Sequence, residues 1–533
     1  MQLSIYFRRL NEWLSVHQKK VLTALNIIGA YFLISKIYDI YWLTEDSFIS
    51  FRVVDNAING YGLRWNINER VQVYTHPLWL LYLTGIHFFI KNIYVTALVG
   101  TALALLAFFW IAYRSFNKVK LIILAALLVN SYSFLEYASS GLETSLNYTF
   151  LIYYFTIYIY SFHKVDKTKR SFILSIAFGL ANAGLILNRM DNVIFIFVPT
   201  VIWLFERIRN KKSFLLLLGF IIGTSPFFIW SAFSFFYYGY VFPNSYYAKT
   251  MVDFQNVRLD WCLNYYKYAA DRDVFLLIAQ IAAIITVFLT KSSKKIYIPL
   301  LSGFIIQPYY VYSVGADYFG GRWLTSSFLI AALILSQLIP KWRRVRNIRI
   351  LAAITIIGII SFNLNYSKIW SKNPFIDPLT GTVIQKYGGT IDERFSLGGF
   401  TKISNCLGTG ICYQFHPLWG GAKEYAQKNP PYLVAYAVGV FGYAAGPTLH
   451  IIDAQGLGDA FLARTPGVAV HPGHYPRHVP DGYPTGDTSK FTPEQKTLYK
   501  EVVLLTKADL FDKERLELLK SKLLLKYRTP RLQ

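Results

Sequence analysis

The chain runs to 533 residues, of which 54% are hydrophobic and 17% aromatic, and its mean hydropathy is positive. That balance excludes a large soluble enzyme and describes a polytopic α-helical membrane protein. The formal net charge of +24 would suit a nucleic-acid partner, but the lysines and arginines fall in short clusters between apolar runs, so membrane lipids and no nucleic acid are expected.

At the start, MQLSIYFRRLNEWLSVHQKK sets basic residues before an apolar run without a small-residue cleavage site, the mark of a retained first helix. Apolar runs of spanning or nearly spanning length lie at about 21–38, 93–113, 119–133, 145–162, 172–188, 191–205, 214–235, 274–290, 295–313, 323–340 and 350–364. About eleven transmembrane helices are therefore expected. The run from Leu78 to Ile90 is too short to cross and reads as an interfacial or re-entrant helix on the outer side. The first twenty residues and the clusters at 114–120, 163–170, 206–212, 291–295 and 341–349 hold 23 Lys and Arg. The short loops 131–145, 188–192 and 314–322 hold only Arg189 and Arg322. Excess positive charge marks cytoplasmic loops, which puts the N-terminus inside and the large first loop, 39–93, outside.

That first loop carries TEDSFISFRVVDNAINGYGLRWNINERVQVYTHPLW, from Thr44 to Trp79. It opens on the acidic pair Glu45-Asp46 and closes on His76-Pro77-Leu78-Trp79. A loop of that length in a compact protein is usually functional; the plainer reading is a solvated connector. Further polar residues collect in the other outer loops: Glu136 and Glu143, Arg189 and Asp191, Asn244 and Lys249, Asp317 and Arg322. Ionisable groups at span ends face a water-filled cavity or a partner, because lipid exposure is costly. One outward-opening polar cavity is expected, against the alternative of scattered interfacial residues among aromatic belts.

Residues 1–364 thus form a transmembrane domain, and residues 365–533 an extracytoplasmic C-terminal domain of α/β type. Within it, the glycine-interrupted run Pro431–Gly446 reads as a buried strand and turn. Cys406 and Cys412, separated by LGTGI, are candidates for a small disulfide loop in an oxidising compartment. His471, His474 and His478 have metal-like spacing, but the intervening prolines and glycine break any regular face, so no metal site is assigned. Thr492-Pro493-Glu494-Gln495 is a helix-capping signature, and helical periodicity continues through Leu525 in two amphipathic helices, on the domain or on the bilayer. No nucleotide-binding motif is present.

Together these segments resemble the GT-C class of membrane glycosyltransferases. They are especially similar to the family of the mycobacterial terminal β-(1→2) arabinofuranosyltransferase and its Gram-negative relatives. The likeness rests on the first-loop acids with SFISFR, GYGLRWN and PLW, on SGLETS (140–145), Arg189-Met190-Asp191 and YYGYVFPNSYYAK (237–249). It continues through VGADYFGGR (314–322), IIDAQGLGDAFLAR (451–464) and PGHYPRHVPDGY (472–483), and so covers about residues 20–490. The chain departs from the family in having Glu-Asp where Asp-Asp is expected, and His76 where a small residue is commoner.

The resemblance implies a GT-C fold in a bacterial cytoplasmic membrane with the site outside. It implies a polyprenyl-phosphate sugar donor, favours D-arabinofuranose, and calls for inverting transfer to an extracytoplasmic glycan or surface-protein acceptor. Such transfer needs a carboxylate to take the proton of the attacking hydroxyl and a cation for the leaving phosphate. Asp46 is the expected base, with Glu45 positioning it or the acceptor. Arg322, Arg189 and Lys249, in that order, are expected at the donor phosphate, each arginine having a structural ion pair as its alternative. Glu143, Asp191 and Asp317 are expected to hold sugar hydroxyls or to orient the arginines, and Asn244, His76 and His474 are further candidates for sugar or acceptor contacts. No cofactor is certain; carboxylates beside a phosphate could recruit Mg²⁺ or Ca²⁺. The rival readings are another lipid-linked glycan transferase or ligase, a transporter of lipid-linked sugar, and a non-catalytic assembly protein.

Overall fold

The computed structural model describes residues 13, 16–163, 168–209, 213–254, 256–290, 294–341, 387–394, 402, 413–527 and 529. Cys406, Cys412 and the apolar run 350–364 lie outside these residues.

Read along the chain, the helices are α1 (Gln18–Ile40), α2 (Glu45–Ile58), α3 (Pro77–Ile90), α4 (Ile93–Ser115), α5 (Lys118–Leu128), α6 (Tyr132–Ala138), α7 (Thr144–His163) and α8 (Thr168–Asn188). They continue as α9 (Val193–Ile208), α10 (Ser213–Tyr238), α11 (Asn244–Thr250), α12 (Val257–Arg272), α13 (Phe275–Leu289), α14 (Lys294–Ser313) and α15 (Leu324–Leu338). Later come α16 (Pro417–Gln427), α17 (Val440–Ala444), α18 (Pro493–Thr506) and α19 (Lys513–Leu523). Among the described residues, four short strands, β1 (Val252–Asp253), β2 (Leu433–Ala435), β3 (Ile451–Asp453) and β4 (Gly467–Val468), pair as parallel β1–β4 and β2–β3.

The described chain is mostly helical, and four of its helical stretches are long and apolar enough to cross a membrane: Gln18–Ile40, Ile93–Ser115, Arg170–Asn188 and Phe214–Tyr238. The count rises to six if α5–α6 and α12–α13, each bent by 94°, are taken as single broken spans. The sequence leads one to expect about eleven. α9 and α15 have 16 and 15 residues, about 24 Å at 1.5 Å per residue against a hydrocarbon core of about 30 Å. α15 is buried along its entire length and serves as the central post for α5, α7 and α13.

The α5–α6 bend falls inside an expected span, and its cause is polar. Ser131 caps α6 by accepting from the Phe134 N–H at 3.2 Å, and Asp273 accepts from both the Ser131 hydroxyl and the Ser133 N–H at 2.7 Å. Asp273 is also the C-cap of α12, through its backbone N–H to Ala269 O, so one residue stands at both bends. The stretch 236–273, between the apolar runs 214–235 and 274–290, contains the 16-residue α12, whose buried Trp261, Cys262, Tyr265, Tyr268 and Ala269 trace one helical face.

α8 and α10 are the most intimately packed pair. A Cβ on Gly223 would stand 2.2 Å from the Ile176 carbonyl oxygen, and one on Gly179 2.4 Å from that of Phe220. Only glycine permits backbones this close, the means by which helices associate where no hydrophobic drive separates lipid from protein. That pairing fixes the end of α8, where Arg189 emerges.

Candidate functional site

The site is assembled where four loops meet at the N-terminus of α2. The Thr44 side chain caps α2 by accepting from the Ser47 N–H at 3.1 Å, which sets Glu45 and Asp46 in the first turn, where the helix dipole favours carboxylates. The entering strand is laced to the SGLETS loop: Trp42 N–H donates to Ser139 O at 3.2 Å, Thr44 N–H to Ser140 O at 3.1 Å. The Trp79 indole donates to Gly141 O at 3.2 Å. Glu143, two residues on, is thereby brought to the same place.

The two acids of the pair differ in their surroundings. Glu45 reaches into the C-terminal part of the chain, where its Oε1 accepts the N–H groups of Gly439 at 2.5 Å and Val440 at 3.2 Å. Burial and the neighbouring Asp46 push its carboxyl up to about 8, against the pull of those two donors. The Asp46 carboxylate is half-buried and has no hydrogen bond or ion pair among the described residues. Burial raises its pKa, and the field around it is mixed: Arg322 and Lys249 lower it, Asp317 and Glu143 raise it.

The surrounding cations differ in the same way. Arg322 grips Asp317 in a two-point pair, Nε to Oδ2 at 2.8 Å and Nη2 to Oδ1 at 3.0 Å, and lies 4.5 Å over the Phe319 ring. Arg189 is divided between Asp191, at 3.0 and 2.6 Å, and Glu143 at 3.2 Å. Burial lowers both guanidinium pKa values, but Asp317 at Arg322 and Asp191 at Arg189, each aided by Glu143, together hold them above the ordinary range. Lys249, at the end of α11, has no acid within ion-pair distance among the described residues; its ammonium stands 5.8 Å over the Trp323 ring. Burial lowers its pKa, with Asp317 and Asp46 opposing.

A chain of contacts returns from Arg189 to α2. Glu143 approaches His76 Nδ1 at 3.4 Å, and His76 Nε2 meets the Ser50 hydroxyl at 2.8 Å. Ser50 lies one helical turn beyond Asp46 and so on the same face. Burial lowers the His76 pKa despite Glu143, while His76 and Arg189 together overcome burial to hold Glu143 below the usual carboxylate range.

Of the residues singled out in the sequence, Glu45, Asp46, His76, Glu143, Arg189, Asp191, Lys249, Asp317 and Arg322 converge here. His474 sits at the rim: its ring packs 4.5 Å from Tyr318 and 4.3 Å from His471. Asn244 stands apart. Its amide donates to the carbonyls of Gly456, Leu457 and Asp459 and its oxygen accepts from Arg464, so it fastens α11, and with it Lys249, to the 456–464 loop.

Glu393 is a site neighbour that sequence reasoning missed. Its Oε2 accepts the Glu45 N–H at 3.4 Å, and burial with the fields of Asp46 and Glu45 raises its pKa strongly. The segment that carries it is sewn to 317–320 by Ile391 N–H to Tyr318 O at 2.8 Å and the Thr390 hydroxyl to Asp317 O at 3.0 Å. Nothing periodic in the sequence marks such a pairing. Among the described residues, no three His, Cys, Asp or Glu side chains gather as a metal site would require. Beside the cluster, a narrow groove runs between α3, α8 and α10, lined by Thr75, Pro77, Ile186, Met190, Phe227 and Trp230.

No protein-family model, curated protein or solved structure matches this chain.

Proposed function

We propose that the chain is an inverting membrane glycosyltransferase of GT-C fold, with about eleven spans in a bacterial cytoplasmic membrane and its site on the outer face. It would move one sugar, D-arabinofuranose by the resemblance above, from a polyprenyl-phosphate donor to an extracytoplasmic glycan or surface protein. The observation that carries this reading is the pairing pattern at the site. The one first-turn acid without a partner, Asp46, lies within the field of Lys249, the one site cation without an acid partner among the described residues. Glu45, Arg189 and Arg322 are each already engaged.

In this reading the acceptor hydroxyl oxygen bonds to the anomeric carbon as the bond from that carbon to the phosphate oxygen breaks. The hydroxyl proton passes to Asp46, and the electron pair leaves with the lipid phosphate. A phosphate is a good leaving group and needs charge neutralisation rather than a strong acid. Lys249 supplies that, aided by the outward side of Arg322. This reverses the preference drawn from sequence, because an arginine already gripping a carboxylate has less charge to offer than an unpaired ammonium. Glu45 acts as a positioning residue, and the lipid tail follows the apolar groove past Met190 and Trp230.

The test is transfer by the purified protein from synthetic polyprenyl-phosphoryl arabinofuranose to a panel of acceptors, with products read by mass spectrometry. Wild type should add one pentose. Asp46→Asn should lower kcat by about 10²–10⁴-fold, the range expected of a lost general base, while remaining folded. Glu45→Gln should keep most of the activity, since an amide oxygen still accepts the two N–H groups. An enzyme inert with every lipid-phosphate sugar that instead moves an intact substrate across vesicles would overturn the reading.

A further inference from the structure

α10 contains one of the apolar stretches able to cross a membrane, Phe214–Tyr238, and its last carbonyls are capped from elsewhere in the chain. A helix end leaves four carbonyls without partners and carries negative partial charge, which guanidinium groups satisfy. Arg70 Nε donates to Tyr237 O at 3.1 Å, and Arg515 Nη2 donates to Phe236 O and, at 3.3 Å, to Tyr237 O. Arg515 is fully buried and lies on α19, and Phe511, just before α19, packs its ring 5.8 Å from Phe236. α19 is thus bolted to the end of a candidate span, at the level where hydrocarbon gives way to headgroups.

At about 100° per residue, α19 sorts its side chains in sequence around its axis. Arg515 and Leu519 are buried against the protein. On one flank lie Leu516 and Leu523, 37% and 70% exposed. Lys513 and Lys520 follow, then Glu517 and Glu514 furthest from the leucines. Just beyond the two ends of the helix, Phe511, Leu524 and Leu525 are 72%, 52% and 83% exposed. Leucine, then lysine, then glutamate is the order met on passing from acyl chains through headgroups to water. Lysine stems lie along the apolar boundary while their ammonium groups reach the headgroup layer.

We propose that α19 is an interfacial anchor whose leucine flank is buried in the bilayer and whose Lys513 and Lys520 meet anionic lipid headgroups. The occupant of this face is the lipid surface because the face continues from the end of a span, not from a groove between protein elements. Its charge order also complements a negative surface. The anchor stands whatever reaction the chain catalyses. Its place in the fold gives it a consequence: it ties the 493–527 region, through Arg515 and Arg70, to a fixed depth beside the first outer loop.

The test uses the full chain in nanodiscs of phosphatidylcholine and phosphatidylglycerol. A photoreactive p-benzoylphenylalanine replaces Leu523 in one variant and Glu514 in another, and adducts are identified by mass spectrometry after irradiation. Lipid adducts at position 523 and none at 514 are expected. In a Lys513→Gln/Lys520→Gln background, the ratio of phosphatidylglycerol to phosphatidylcholine adducts at 523 should fall several-fold, towards the bulk lipid ratio. Absence of lipid adducts at 523, or adducts to a second protein chain there, overturns the proposal. An unchanged lipid ratio overturns the headgroup assignment.

Discussion

Glu45 and Gly439 approach so closely that no side chain fits between them. The Glu45 carboxylate accepts the Gly439 N–H at 2.5 Å, and a Cβ on Gly439 would lie 2.0 Å from the Glu45 carbonyl oxygen and 2.7 Å from its carboxyl carbon. Two residues nearly four hundred positions apart thus set where α2 begins, and with it where Asp46 points. Arg52 repeats the tie about two turns along α2, donating to Gly442 O at 2.9 Å and Leu449 O at 2.8 Å.

Gly439→Ala should therefore act on Asp46 without touching it. Overpacking of this kind costs about 1–3 kcal/mol, here by pushing the first turn of α2 away from α17. The expected outcome is a protein that folds with a modestly lowered Tm but loses transfer activity far beyond that loss of stability. Activity that tracks Tm alone would show that the contact is only structural.

The field around Asp46 makes a signed prediction for pH dependence. The base works when ionised, so activity is present above its pKa and is lost as pH falls through it. Burial raises that pKa, Lys249 lowers it and Asp317 raises it. Lys249→Met should move the acid limb of the kcat/KM profile to higher pH, and Asp317→Asn should move it to lower pH. Lys249→Met should also raise the donor KM. Limbs that stay in place in both variants would remove Asp46 from the role of base.

Among the described residues, Arg189 is the cation that ion-pairs with both Asp191 and Glu143. Removing one member of a buried ion pair typically costs about 3–5 kcal/mol, because the partner charge is left uncompensated. Arg189→Met leaves two such charges and should lower Tm strongly, with Arg189→Lys recovering only part, since an ammonium lacks the planar fork that meets Asp191 at two points while a third N–H reaches Glu143. A Tm unchanged in Arg189→Met would mean that water, not the arginine, satisfies the acids.

Much of this cluster was legible in one dimension. Charges at the ends of apolar runs stand out, and the alternation of sides assigns them to one face, so Asp46, Glu143, Arg189, Asp191, Lys249, Asp317 and Arg322 could be grouped before any contact was known. The box at Thr492 was legible for the same local reason, and both of its hydrogen bonds form, at 3.2 and 2.9 Å. Local ion pairs of Arg322 and Arg189 with nearby acids stood as an alternative in the sequence, whereas long-range pairing was not legible. That Glu393 reaches Glu45 and that Asp273 stands at two bends at once depend on contacts between distant segments, which leave no period in the sequence. The run at Pro431–Gly446, expected as a strand and turn, forms β2 followed by α17 because Gly439 and Val440 offer their N–H groups to Glu45.

The same long-range docking should be sensitive to pH through Asp453, on β3. It is fully buried, and its oxygens accept from Gln455 N–H at 2.8 Å and Gly458 N–H at 2.7 Å. Burial nonetheless raises its pKa from 3.8 to about 6. A carboxyl whose folded pKa is raised binds protons more tightly folded than unfolded, so its contribution to stability is full below about pH 4 and is lost as pH rises through about 6. Carboxylates held low, such as Glu143 and Asp191, lose their contribution in the opposite direction as pH falls. The measurement is therefore a difference: Tm of wild type and of Asp453→Asn across pH 4 to 8. The variant keeps a carbonyl oxygen for the N–H donors and carries no charge. Its Tm relative to wild type should rise as pH increases through 6, and a gap that stays constant from pH 4 to 8 would place the Asp453 titration elsewhere.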